Sequence, residues 1–172
     1  MTVSLGAEGP RLAREAEIRR RYDRAGLVAA LGRYGEAMAR VVDACPRLEE
    51  PRCRRLAEEW EAVRDDARAS GDWDGLAQVY ACSSPYPEHP GNLYAVDGWA
   101  RNAFNYAGLV ARERANAVGA PLVPVERSAA GMIMALAMDA SDAAGTYSPF
   151  GPPLRALLRR PWVAVLGDPL EA

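Results

Sequence analysis

The chain has 172 residues, the length of one globular domain that can bury a hydrophobic core without disulfide or metal support. Its formal net charge of −2 argues against nucleic acid as a partner, since nucleic-acid-binding domains usually carry an excess of cations. No apolar run approaches the roughly 18 residues that a membrane span requires, and the start of the sequence lacks a signal-peptide pattern. We therefore expect a cytoplasmic protein that binds neither membranes nor nucleic acid.

All 21 cationic residues are arginine, a bias that we attribute to a high-GC genome. Without lysine the chain cannot form a Schiff base with pyridoxal phosphate, and it lacks the phosphate-binding lysine of P-loop proteins and kinases. The single histidine, His89, excludes metal sites that need several histidine ligands. GxGxxG, GxSxG, HExxH and CxxC are absent as well. We expect no cofactor and no metal, and a non-enzymatic role is favoured over a catalytic one.

Helical periodicity dominates the first part of the chain. Pro10 suits the first turn of a helix that runs to about Gly26. A second helix, or a bent continuation of the first, ends where Pro46 interrupts it. Its apolar residues form the clearest stripe of the sequence and predict a face buried in the core. The stripe consists of Leu27, Leu31, Tyr34, Met38, Val41, Val42 and Cys45.

A third helix is predicted from Pro51 to Gly71, with a short helix over residues 72–82 after it. The turn before the third helix has the sequence CPRLEEPRC. Cys45 and Cys53 flank this turn, and two separate reduced thiols are favoured over a disulfide between them.

The second part of the chain is more apolar. A long helix is predicted over residues 92–118, followed by an extended segment at 120–126, where prolines recur. The helix predicted at 126–144 contains AAGMIMALAM, which is apolar on every side and indicates a helix surrounded by neighbours. A short helix at 153–160 precedes an apolar strip at 163–166, predicted as a short strand or a clasp across the bundle.

These elements predict an all-α fold, a compact bundle of five to seven helices around one central apolar helix. We expect residues 1–172 to form a single domain. Residues 1–74 carry 29 charged side chains against 15 in residues 75–172. The first part is therefore predicted to supply amphipathic outer helices, and the second part the apolar centre and the loops.

The carboxylates Asp139 and Asp142 are the first candidate binding residues. They share a helix face near a helix C-terminus, where like charges three residues apart and the helix dipole both disfavour them. Three interpretations remain open: two solvated side chains, a structural pair with an arginine of a neighbouring helix, or a site for a cation or polar ligand. Solvated side chains are favoured.

The polar side of the long helix is the second candidate, with Tyr94, Arg101, Asn105 and Arg112 around Gly108. Guanidinium groups bind carboxylate and phosphate through paired hydrogen bonds, so this side would suit a partner protein with an acidic surface or an anionic ligand. A solvated helix face is the favoured alternative.

The loop that contains Ser83, Ser84, Glu88 and His89 is the third candidate. These residue types occur in acyl-transfer sites, but they lie too close in sequence to form a triad by themselves, and the strand-turn-helix context of a nucleophilic serine is missing. An ordinary surface histidine is favoured.

By elimination, the sequence favours a non-catalytic regulatory or neutralising protein that acts by binding another protein, such as an immunity protein, an antitoxin or an accessory subunit. The alternative is a small-molecule-binding bundle, possibly a minor biosynthetic enzyme. A homodimer is compatible with either function. The pocket of the alternative would be lined by Trp99, Tyr106, Met132, Met138, Asp139 and Tyr147.

Overall fold

A computed structural model describes residues 5–83, 98–145 and 151–171 of the chain, and this part is entirely helical, with no strand in it. The predicted all-α class is confirmed. The described residues contain eight α-helices, which exceeds the predicted five to seven. The helices are α1 (Leu5–Arg21), α2 (Arg24–Leu31), α3 (Arg33–Ala44), α4 (Glu50–Ser70), α5 (Trp73–Ser83), α6 (Gly98–Val118), α7 (Leu122–Ala143) and α8 (Pro152–Leu166).

The extra helix arises because the stripe predicted as one helix is broken between α2 and α3. Gly32 has φ 57° and ψ −128°, a backbone conformation that only glycine adopts easily. Asp23 caps α2 by accepting a hydrogen bond from the Gly26 N–H at 3.2 Å. Because the break folds α3 back against α2, Gly35 lies directly on the α2 backbone at Leu27.

Helix α4 matches its prediction. Pro51 lies in its first turn, and Gly71 ends the helix with φ 83° while its N–H donates to the Ala67 carbonyl. Leu56 and Trp60 are among the residues that it buries. Local sequence signals were sufficient here because both ends of the helix carry a residue with a strong backbone preference.

Helix α7 is buried from Val125 to Met138 except at the half-buried Arg127, and it contacts α3, α4, α5, α6 and α8. It begins at Leu122, so the prediction of an extended segment at 120–126 is wrong. Pro124 is tolerated because the N–H groups of a first helical turn have no partner within the helix, and proline lacks this group.

The prediction of a strand or clasp at residues 163–166 is also wrong, because α8 continues through Pro161 to Leu166. Leu158 and Trp162 are buried where α8 packs on α4 and α7. This burial compensates for the hydrogen bond that Pro161 cannot make.

Cys45 and Cys53 are both buried and free, and the Cys45 thiol donates to the Val41 carbonyl at 3.2 Å. Burial raises the pKa of both thiols, which keeps them in the unreactive neutral form. None of the described helices is long and apolar enough to cross a lipid bilayer.

Candidate functional site

Asp139 and Asp142 lie on the side of α7 that faces α8, where arginines neutralise them. Arg155 pairs with Asp142 and lies 3.5 Å from an Asp139 oxygen, while Arg159 pairs with Asp139 and lies 3.7 Å from Asp168. Of the three interpretations, the structure agrees with the arginine pair from a neighbouring helix. The favoured interpretation, two solvated side chains, is wrong for Asp139, because α8 extends past this end of α7, while Asp142 remains about half exposed.

Replacing Asp139 should therefore affect stability. Asp139 is about one-fifth exposed and contacts two guanidinium groups, whereas Asp142 is about half exposed and contacts one. We expect Asp139→Asn to lower the free energy of unfolding by about 1–2 kcal/mol and Asp142→Asn by less than about 1 kcal/mol. Urea denaturation of both variants at neutral pH measures the difference. Equal effects would show that the two carboxylates contribute alike to the α7–α8 contact.

The polar side of α6 is largely covered by the rest of the chain. Gly108 is buried, Arg101 is half-buried, and Asn105 faces Ile18 of α1 across a narrow cleft. Arg112 lies 3.4 Å from the buried carboxylate of Glu126 on α7. The interpretation of this side as a solvated face is therefore wrong for most of it, because α1 and α7 pack against α6.

The remaining candidates do not assemble into one pocket within the described residues. Met132 and Met138 are buried in the core, and Tyr106 stacks on Tyr22. Trp99 packs on Gly26 of α2 and is 37% exposed. Tyr94, Ser84, Glu88, His89 and Tyr147, together with the side chain of Ser83, lie outside what the structure describes.

A different site appears where the α3–α4 turn meets the end of α8. Three arginines surround a depression whose floor is apolar, and the depression is open to solvent. It is the first of two adjoining depressions that we together call the groove, and we name it the arginine end. It is lined by Arg40, Asp43, Ala44, Arg47, Leu48, Arg52 and Leu166.

A second open depression adjoins the first, because Asp43 and Arg47 line both. Its main feature is the stacked pair Tyr22 and Tyr106, with ring centroids 4.5 Å apart and an interplanar angle of 13°. We call it the tyrosine end of the groove. It is lined by Tyr22, Val42, Asp43, Pro46, Arg47, Tyr106 and Val110. Burial, and then the nearby Asp43 carboxylate, raise the pKa of Tyr22 to about 12, so the Tyr22 ring is neutral at physiological pH.

The groove is cationic at its arginine end. Asp43 is held by Arg24, whose Nε and Nη2 donate to one carboxylate oxygen at 3.2 and 2.9 Å, so its charge is already compensated. Arg40 donates to the Pro169 carbonyl at 2.8 Å. Arg47 and Arg52 are exposed and make no ion pair or hydrogen bond to another residue within the described ranges. Two guanidinium groups are thus available to an external acceptor.

The turn that presents these two arginines is fixed in place. Residues Cys45–Arg47 form a 3₁₀ turn, and Leu48 is buried beneath the groove. Arg114 of α6 donates to the Leu48 carbonyl at 2.6 Å. Because the turn is already fixed, it loses less conformational entropy when a partner binds.

The expectations drawn from the sequence of this turn concerned its cysteines alone. The signal that was available is the repeated Pro-Arg pair in CPRLEEPRC, which places Arg47 and Arg52 directly after helix-punctuating prolines. The tyrosine end offered no comparable signal, because Tyr22 and Tyr106 are far apart in sequence.

Comparison with known proteins gave no significant match to a family model, a curated protein sequence or a solved structure. The fold and the groove therefore define only a broad class, an all-helical protein with an open, arginine-lined surface groove.

Proposed function

We propose that this chain is a non-catalytic protein-binding domain that acts by engaging an acidic partner protein through the groove between the α3–α4 turn, α6 and the end of α8. Regulation, neutralisation or an accessory role in a complex would each use such contacts. The observation that carries the proposal is the pair of exposed guanidinium groups, Arg47 and Arg52, beside an apolar floor. Arginine beside apolar and aromatic surface is the composition that protein interfaces favour.

The open form of the groove supports a protein partner over a small molecule. Small-ligand sites usually enclose most of the ligand surface, whereas both ends of this groove are only partly enclosed. The residues considered for a small-molecule pocket are instead divided among the core, the α2 contact of Trp99 and the α7–α8 ion pairs. We accordingly favour partner binding over a biosynthetic role.

We further propose that residues 1–172 act as one domain with α7 as its central helix. The support is the contact of α7 with five other helices and the burial of most of its residues from Val125 to Met138. The charged helices α1 and α4 would then serve as outer helices, in keeping with the charge-rich residues 1–74. A cytoplasmic location and the absence of nucleic-acid binding remain expectations.

Site-specific photo-cross-linking in the cells that naturally make the protein tests the proposed function. A photoreactive phenylalanine analogue is placed at Pro46, an exposed groove residue outside the proposed binding groups, or at Arg20 on α1, which is highly exposed and lines none of the described depressions. We expect a covalent adduct with one other protein from position 46 and none from position 20. The adduct should disappear when Arg47→Glu is added.

The cross-linked protein is then identified by mass spectrometry, produced separately and titrated against the wild type and Arg47→Glu. A direct complex that weakens on charge reversal supports the proposal. No adduct from position 46, or adducts of equal yield from both positions, would contradict it. An adduct with a second copy of the chain would show that the groove is a homodimer interface and not a site for a different protein.

A further inference from the structure

The two ends of the groove differ in chemistry. This difference specifies the partner more narrowly than an acidic surface alone would. The arginine end offers the guanidinium groups of Arg40, Arg47 and Arg52. The tyrosine end offers two stacked aromatic rings with Val42 and Val110 beside them. Arg47 and Asp43 lie at the junction, and Asp43 is already paired with Arg24.

Carboxylates suit the arginine end for reasons of geometry as well as charge. A guanidinium group presents several N–H donors in one plane and can pair with both oxygens of a carboxylate. Arg40 donates to the Pro169 carbonyl and forms an ion pair with Glu36 at 3.8 Å, so its charge is already partly compensated. Arg47 and Arg52 are the residues that can form new paired hydrogen bonds.

The tyrosine end suits an apolar or aromatic side chain. Tyr22 and Tyr106 are each partly exposed, and their stacking fixes the ring planes in a single arrangement. A preformed aromatic surface binds another ring without first having to order its own side chains.

We propose that the groove recognises a short acidic segment of the partner that carries one aromatic anchor, with its carboxylates on Arg47 and Arg52 and its aromatic ring against Tyr22 and Tyr106. This inference rests on the proposed protein-binding function and names the chemistry that the partner must present. The carboxylates and the aromatic ring are both required, because each end of the groove is too open to hold a ligand by itself.

Three synthetic peptides with a fluorescent label test the inference on the full chain. The first has acidic residues around one phenylalanine, the second replaces the phenylalanine by serine, and the third replaces the acidic residues by their amides. Fluorescence anisotropy gives the affinities, and backbone amide shifts in NMR spectra locate the site. We expect the first peptide to shift the amides around Arg47, Arg52 and Tyr106. Each of the other two should bind at least about tenfold more weakly.

Matched variants separate the groove from general surface charge. Arg47→Glu and Arg52→Glu should each weaken the first peptide at least about tenfold, and Tyr106→Ala about fivefold. Arg20→Glu changes the net charge equally and should leave the affinity within about twofold. Arg47 and Arg52 are exposed, so their variants should fold normally, as circular dichroism checks.

The outcomes distinguish the inference from the function on which it rests. Equal binding of the peptides with phenylalanine and with serine would overturn the aromatic anchor, and equal binding to Arg47→Glu would overturn the site. If none of the peptides binds but the partner still cross-links at position 46, the inference fails and the protein-binding function stands. If the cross-linking also fails, both are wrong.

Discussion

Gly35→Ala should strongly destabilise this protein. A Cβ atom on Gly35 would overlap the Leu27 carbonyl oxygen and lie 3.0 Å from the Leu27 carbonyl carbon and 3.1 Å from Val28 Cα. All three atoms belong to the α2 backbone, which cannot rotate away as a side chain would. We expect a loss of about 3 kcal/mol or more, despite the gain of about 1 kcal/mol that alanine normally brings to a helix interior.

Gly75→Ala is the matched control for this prediction. Gly75 is also helical, but a Cβ there would meet only a Leu154 methyl group at 3.6 Å, an ordinary contact distance. We expect this variant to be as stable as the wild type or more stable by up to about 1 kcal/mol. Urea denaturation followed by circular dichroism measures both variants. A Gly35→Ala protein as stable as Gly75→Ala would mean that α2 and α3 do not pack this closely.

Glu126→Gln should stabilise the protein above neutral pH. Glu126 is 4% exposed, and its Oε1 has no hydrogen-bond partner among the described residues. Burial raises its pKa from 4.5 to about 7, although Arg112 at 3.4 Å acts in the opposite direction. The free-energy cost of desolvating this carboxylate thus exceeds the stabilisation from its ion pair. The ion pair is weak because Arg112 is 41% exposed and therefore partly hydrated.

The pH dependence follows from the raised pKa. Between about pH 4.5 and 7 the folded protein binds more protons at Glu126 than the unfolded chain does. The contribution of this residue to the free energy of unfolding therefore falls as pH rises through that window, and it is constant above it. The total decrease is at most about 3 kcal/mol. Glutamine keeps the shape of the side chain without the charge and should remove the decrease.

Urea denaturation of the wild type and Glu126→Gln at pH 5 and pH 8 tests this. The two proteins should have similar stability at pH 5, and the variant should be more stable at pH 8. Glu113→Gln is the control, since Glu113 on α6 also pairs with an arginine, Arg19 of α1, but is half exposed. Its effect should stay below about 1 kcal/mol at both pH values. A Glu126→Gln protein that is less stable at pH 8 would show that the pair with Arg112 outweighs the cost of burial.

The sequence by itself determined the helical class and the elements whose signals are local. Helix α4 is the clearest example, since Pro51, the stripe from Leu56 to Ala67 and Gly71 all lie within one segment. The apolar run of α7 likewise indicated a buried helix before any contact was known. Such predictions succeed because backbone preference and side-chain periodicity are properties of neighbouring residues.

Only the tertiary structure decided which helices meet, and with them the sites. The sequence around Asp139 does not reveal that Arg155 and Arg159 of α8 neutralise its charge. Pro161 likewise predicted an earlier end of α8 than the structure shows. The groove brings Tyr22, Arg47 and Tyr106 together from three separate segments. These contacts depend on the packing of whole helices, in which burial outweighs local preference, and no short stretch of the sequence contains that information.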